Sequence, residues 1–227
     1  MSENNKEKNM IPIPVEPEAK KEEKPAEVVP ETASDETDSV VVLSKPYVFE
    51  GKEYNKIDLS GVANLTINDA VEAQKQLDQI TQVTAATTTE FALILAQRAT
   101  GYPIEFFKLA PRGVARKIRL AVLGILADKT DTSNHIMKLN KPFTYESVIY
   151  TEIDLNGLAD MTCMNESEAE NRLVREGYGI IEPTKNYLYC CILASMATGK
   201  SEDFFKKLPV DELIKLVNEV GSEDFLE

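Results

Sequence analysis

The chain repeats itself at long range, and that limits its fold to two copies of one domain. Lys45-Pro46-Tyr47-Val48-Phe49-Glu50 returns as Lys141-Pro142-Phe143-Thr144-Tyr145-Glu146, and Tyr54 to Thr66 returns as Tyr150 to Thr162. The offset is a constant 96 residues, and 10 of the 22 positions from Lys45 to Thr66 are identical. Ordinary composition would give roughly one or two such matches by chance. Phe91 to Gly101 is echoed by Tyr189 to Gly199 at an offset of 98. Phe106-Phe107-Lys108 and Pro111 return as Phe204-Phe205-Lys206 and Pro209. The two extra residues are assigned to the stretch from Arg175 to Thr184. A period this long exceeds any solenoid unit and reads as tandem domains.

Each copy opens on a β signal and continues as helix. Tyr47 and Phe49 alternate with Val48 and Glu50, and Gly51-Lys52 offers a first-position glycine for a type II′ turn. Ile57 and Leu59 then share one strand face. In the second copy Ser147-Val148 stands at the turn, so a different turn geometry is expected there. Thr66 with Asp69 three residues on is an imperfect capping box before the apolar positions Ile67, Ala70, Val71, Leu77 and Ile80. A second helix runs from about Thr89 and stops at Gly101, repeated at Thr198-Gly199. A short turn carries Phe106-Phe107, and Pro111 and Pro209 each begin a last helix. The expected fold is therefore α+β: two copies of a β-hairpin followed by three or four α-helices. The copies are placed at 45–130 and 141–227, with a linker at 131–140.

Residues 1–44 read differently. They hold 5 of the 11 prolines, no aromatic residue, and 11 acidic against 5 basic residues. Such a segment buries too little apolar surface to offset chain entropy and is expected to be a disordered acidic arm. Val40 to Leu43 at its end are candidates for an edge strand. The net charge of −13 divides as −6 over 1–44, +2 over 45–130 and −9 over 131–227. That acidity argues against general nucleic-acid binding, which depends on neutralising phosphates. No stretch approaches the ~20 apolar residues of a membrane span, and the N-terminus lacks a signal-peptide core. Cys163, Cys190 and Cys191 make no CxxC spacing, which fits a reducing cytosolic setting.

The search for chemistry yields no catalytic, cofactor-binding or metal-ligating residue. The phosphate-loop, dinucleotide, zinc-protease and hydrolase-elbow motifs are missing. His135, the one histidine, reads as a solvated linker residue. Cys190 and Cys191 align with Ala92 and Leu93 and read as small core hydrophobes. Asp58 and Asp154, each between Ile and Leu, read as solvated strand positions. Arg112, Arg116 and Arg119 share a helical face, either solvated or docking the acidic second repeat or an acidic partner. Phe106, Phe107, Phe204 and Phe205 divide between core packing and a partner-binding site, because only one member of each pair need enter a core.

The pattern of an aromatic–x–Gly-Lys-Glu hairpin, a helix, Leu93 to Phe106 and a last amphipathic helix from Val114 to Leu126 resembles a known family. It is similar to the tail assembly chaperones of contractile-tailed bacteriophages, here duplicated. The resemblance implies a non-enzymatic protein without cofactors that binds the tape measure protein in the cytoplasm of a bacterial host. It implies absence from the mature virion, with self-association or other tail components as further partners. The competing reading is a structural protein of a tail, baseplate or capsid whose duplicated domain mimics two ring subunits. A regulatory adaptor using the basic helix on nucleic acid ranks below both.

Overall fold

A computed structural model describes residues 39–78, 88–127, 134–179 and 182–222. The first copy runs β1 (Val40–Phe49), β2 (Lys52–Asp58), a 3-10 turn at Ser60–Asn64, α1 (Ile67–Asp78), α2 (Thr89–Thr100), α3 (Ile104–Lys108) and α4 (Arg112–Leu126). The second runs β3 (Ile136–Tyr145), β4 (Val148–Asp154), a 3-10 turn at Asn156–Asp160, α5 (Cys163–Arg175), α6 (Tyr187–Thr198), α7 (Glu202–Lys206) and α8 (Leu213–Val220). Among the described residues the strands and α-helices follow the same order, the second copy adding 3-10 turns at Pro183–Lys185 and Val210–Glu212, and the fold is the expected α+β duplication with four α-helices per copy. Most of the expected acidic arm lies outside the described residues. Its last residues belong to β1, so the first copy begins at Val40, and β3 likewise takes in Ile136 to Asn140 of the expected linker.

Local chemistry explains the matched elements. Both hairpins are antiparallel and share one register, with Val41↔Ile57 and Phe49↔Lys52 answered by Met137↔Ile153 and Tyr145↔Val148. The turns correct the expectation twice. The loop residues are Glu50-Gly51, both at positive φ (48° and 79°), as a type I′ turn demands. Glu146-Ser147 adopts the same geometry (48° and 66°) without the glycine. Register and strand twist therefore hold the second turn in a conformation its serine disfavours. Thr66 donates its amide and hydroxyl to Asp69 at 2.9 Å, and Thr162 makes the full capping box with Asn165. Gly101 and Gly199 end α2 and α6 at left-handed φ of 71° and 68°. The extra residues of the second copy fall between α5 and α6.

Two further glycines are demanded by close approach. A Cβ on Gly61 would lie 2.5 Å from the Ala99 carbonyl oxygen, and one on Gly157 would lie 2.2 Å from that of Ala197. The 3-10 turn of each copy thus rests directly on the backbone of its central helix.

The copies merge into one core, joined through α1. Ile67 N donates to Leu208 O (2.9 Å) and Val210 N to Leu65 O (2.9 Å), an antiparallel bridge between Thr66 and Pro209. One stripe of α1, Ile67, Val71 and Gln74, is buried against the second copy. Gln74 donates to Lys185 O (3.0 Å) and accepts from Tyr187 N (2.7 Å), and the Tyr178 hydroxyl donates to Val71 O (3.4 Å). The equivalent stripe of α5 is Cys163, Ser167 and Glu170. Its first two residues are exposed and the third half-buried. The joint is head to tail, with different surfaces on the two copies.

Two outcomes are expected in urea unfolding. Gly61→Ala and Gly157→Ala should each lose about 1–3 kcal/mol, the usual cost of forcing atoms into a packed site. Ser147→Gly should gain up to about 1 kcal/mol by removing the left-handed penalty.

Candidate partner-binding groove

The aromatic pairs are core, which corrects their reading as a partner site. Phe106, Phe107, Phe204 and Phe205 are all at most 1 % exposed. Phe106 is ringed by Tyr47 (5.2 Å between centroids), Phe49 (5.3 Å), Tyr54 (4.9 Å) and Phe107 (5.1 Å), and Tyr102 stacks on it at 4.6 Å. The second copy repeats the cage with Phe143, Tyr145, Tyr150 and Phe205 around Phe204. Lys200 replaces Tyr102, and its ammonium lies over the Tyr150 ring at 4.4 Å and the Phe204 ring at 5.2 Å. Both members of each pair are buried because the hairpin encloses the first while the helices enclose the second.

Other sequence candidates resolve as structure. Asp58 and Asp154 accept from the amides of Ser60 and Asn156, both at 2.9 Å, steering each strand into its 3-10 turn. Hydrogen bonding from the side chain and then the amide of Ser60 holds the Asp58 carboxyl below its ordinary range, and the amide and then the side chain of Asn156 do the same for Asp154. His135 is not a solvated linker residue. It immediately precedes β3, with its Nδ1 3.2 Å from a carboxylate oxygen of the buried Glu219. Cys190 and Cys191 are fully buried as expected, and burial pushes the Cys190 thiol up to about 12. Among the described residues no three His, Cys, Asp or Glu side chains gather as metal ligands. Among them, too, no helix is long and apolar enough to cross a membrane.

The basic face of α4 is open to a solvated or a docking reading, and α4 does meet the second copy at Val210–Glu212. Arg112 and Arg116 are exposed and Arg119 is half-buried. The ion pair described across the repeats is Lys75–Glu176 (3.0 Å), from α1 and the end of α5. What α4 does build is one wall of an open groove of about 420 Å³, from Lys117, Leu120, Ala121 and Gly124. Val40, Val41 and Val42 of β1 form the other wall. Val42 is 65 % exposed and Leu120 56 %. Lys117 Nζ donates to Val42 O at 2.9 Å across the groove. α4 carries Arg112, Arg116, Lys117 and Arg119 and no acid, and of these Lys117 lines the groove.

The same place in the second copy is filled. Lys215, the counterpart of Lys117, donates to Lys138 O (2.8 Å) and Asn140 Oδ1 (2.7 Å). Its ammonium lies 3.0 Å from Glu212 Oε2, and Glu212 Oε1 accepts the Asn140 amide. Asn140 Nδ2 donates to Asp211 at 3.1 Å. Lys215 and Glu212 are 0 % and 1 % exposed. Burial raises the Glu212 carboxyl above its ordinary range, against the pull of the Asn140 amide and the Lys215 ammonium. In the first copy Ser44 stands for Asn140, Val114 for Glu212, Leu120 for Asn218 and Gly124 for Ser222. The carboxylate clamp is thus missing and its cavity is apolar and open. Sequence reasoning passed over Lys215 and Glu212, since charges three apart on a helix ordinarily face water. The mismatch between copies was the available signal.

No protein family, curated protein or solved structure matches the chain.

Stability measurements separate these roles. Phe106→Ala and Phe204→Ala should each cost about 3–5 kcal/mol, as for other buried aromatics. Glu212→Ala strands a buried ammonium and should cost about 3–5 kcal/mol. Lys117→Ala, at an exposed position, should stay within about 0.5 kcal/mol of the parent protein.

Proposed function

We propose that this protein is a binding protein, a phage tail assembly chaperone that keeps the tape measure protein soluble while the tail tube forms. In this reading it acts in the bacterial cytoplasm and is left out of the finished particle. The observation that carries a binding role is the groove between β1 and α4: walled by the exposed Val42, Leu120 and Lys117, and open where its duplicate is plugged. The resemblance of Tyr47 to Leu126 to the chaperone family supplies the partner. A long helical protein with apolar stripes would aggregate if unshielded. An acidic carrier of net charge −13 offers that protein solubility.

One observation favours a second reading as a structural tail or baseplate component. The repeats dock head to tail, the heterologous contact from which rings and tubes are built. Weighing against it, the free counterpart of the α1 stripe has become polar at Ser167 and Glu170. Such a surface cannot bury itself against a further unit as Val71 and Gln74 do.

Co-expression with the tape measure protein of the same phage distinguishes the two. The chaperone reading expects a soluble, co-purifying complex and no copy of this chain in washed particles. Stoichiometric recovery from particles would establish the structural reading instead. A tape measure protein equally insoluble with and without this chain would overturn the chaperone assignment.

A further inference from the structure

The second repeat contains a model of what the first repeat lacks. Glu212 places one carboxylate between the buried ammonium of Lys215 and the backbone amide of Asn140 at the open edge of β3. Lys117 occupies the lysine position in the first repeat and already reaches the β1 backbone at Val42 O. Val114 cannot supply the carboxylate, and Lys117 and Ser44 are both exposed to solvent. β1 has β2 on one side and the groove on the other. Along that groove the exposed Val42 and Leu120 offer apolar contact. Among the described residues no strand other than β2 pairs with β1, and a strand edge of this kind takes an added strand through its main chain, with alternate side chains entering pockets.

We infer that the groove receives an extended segment of a protein partner in which acidic and apolar side chains alternate. One carboxylate of that segment sits between Lys117 Nζ and the Ser44 amide, as Glu212 sits in the second repeat. Its apolar side chains project from the opposite face, beside the exposed Val42. Alternation follows from the period of two in a strand, which sends successive side chains to opposite faces. The Lys117 ammonium in the groove wall selects the acidic partner. This rests on the binding role proposed above but not on the partner being a tape measure protein.

The test uses the full chain and three labelled peptides of about eight residues, an ordinary strand length. They alternate valine with glutamate, glutamine or lysine, and binding is read by fluorescence anisotropy. The glutamate peptide should bind about tenfold or more tighter than the glutamine peptide, the effect of one charge-assisted hydrogen bond. The lysine peptide should not bind. Lys117→Met should remove the preference for glutamate over glutamine. The double change Ser44→Asn with Val114→Glu rebuilds the plug of the second repeat and should abolish binding while leaving the thermal midpoint unchanged or raised. Equal binding of glutamate and glutamine peptides would overturn the inference. So would a Lys117→Met protein with its glutamate preference intact. Equally tight binding of a single-stranded oligonucleotide would make the site a general anion surface. Self-association lost in the double variant would make its occupant a second copy. If the double variant loses the peptide but still keeps a tape measure protein soluble, the chaperone role stands on another surface. If the peptide binds and the tape measure protein does not, only the chaperone role falls.

Discussion

The bridge between Thr66 and Pro209 is the contact on which the two repeats depend for acting as one body. A helix begins with amides that have no partner inside it. The first of these in α1, at Ile67, is met by Leu208 O of the other repeat, while Val210 N returns a bond to Leu65 O. The polar end of α1 is thereby satisfied at a place where its side chains are buried. Ile67 and Val71 can then desolvate fully against the second copy, contributing about 1.5–3 kcal/mol each. Units of roughly ninety residues bury about 60–70 % of the surface their unfolded chains expose, less than larger domains do. Sharing a core through α1 offsets that weakness for both.

Duplication made the pieces equal, and the joint then made them different. α1 must satisfy two neighbours, its own α2 and the second repeat, so its Ile67–Val71–Gln74 stripe is inward. α5 packs on α6 and leaves the matching stripe in water, so Cys163, Ser167 and Glu170 are tolerated. The receiving surface changed in step. Leu208 and Val210 are buried beneath α1, whereas their counterparts Ala110 and Arg112 are half-buried and exposed. A head-to-tail contact with unchanged ends would continue into a filament. Here the counterparts of the joined surfaces are smaller or more polar than the surfaces themselves.

Much of this was legible because it rests on local rules. Gly101 and Gly199 end their helices where the sequence places them, and Thr66 and Thr162 begin theirs. The matched hairpins, helices and core cysteines follow from spacing. The turns did not, because Ser147 occupies a glycine conformation that register imposes from both sides. The Phe pairs stand between core and partner site by sequence, and the core reading holds because a helix of five residues between a hairpin and a core can bury two adjacent rings. The groove was invisible to pattern reading within either copy. Val114, Ser44, Leu120 and Gly124 are unremarkable as a helix and strand surface, and acquire meaning only beside Glu212, Asn140, Asn218 and Ser222.

That comparison also explains why the opening lies in the first copy. Burying Lys215 with Glu212 is costly in desolvation, and such a pair persists only when every remaining donor and acceptor is met. Lys138 O and Asn140 Oδ1 accept from the ammonium and the Asn140 amide donates to Glu212 Oε1, leaving Glu212 Oε2 with the ammonium alone at 3.0 Å, and together these contacts close the edge of β3. Lys117 donates to the same strand position but lies in water, where its charge carries no desolvation cost. An ammonium held near an apolar wall and still hydrated loses little when a carboxylate arrives with its own apolar neighbours. The energetic difference between the copies is therefore one of timing. In the second repeat the ions are desolvated during folding, and in the first that step is left to be driven by whatever occupies the groove.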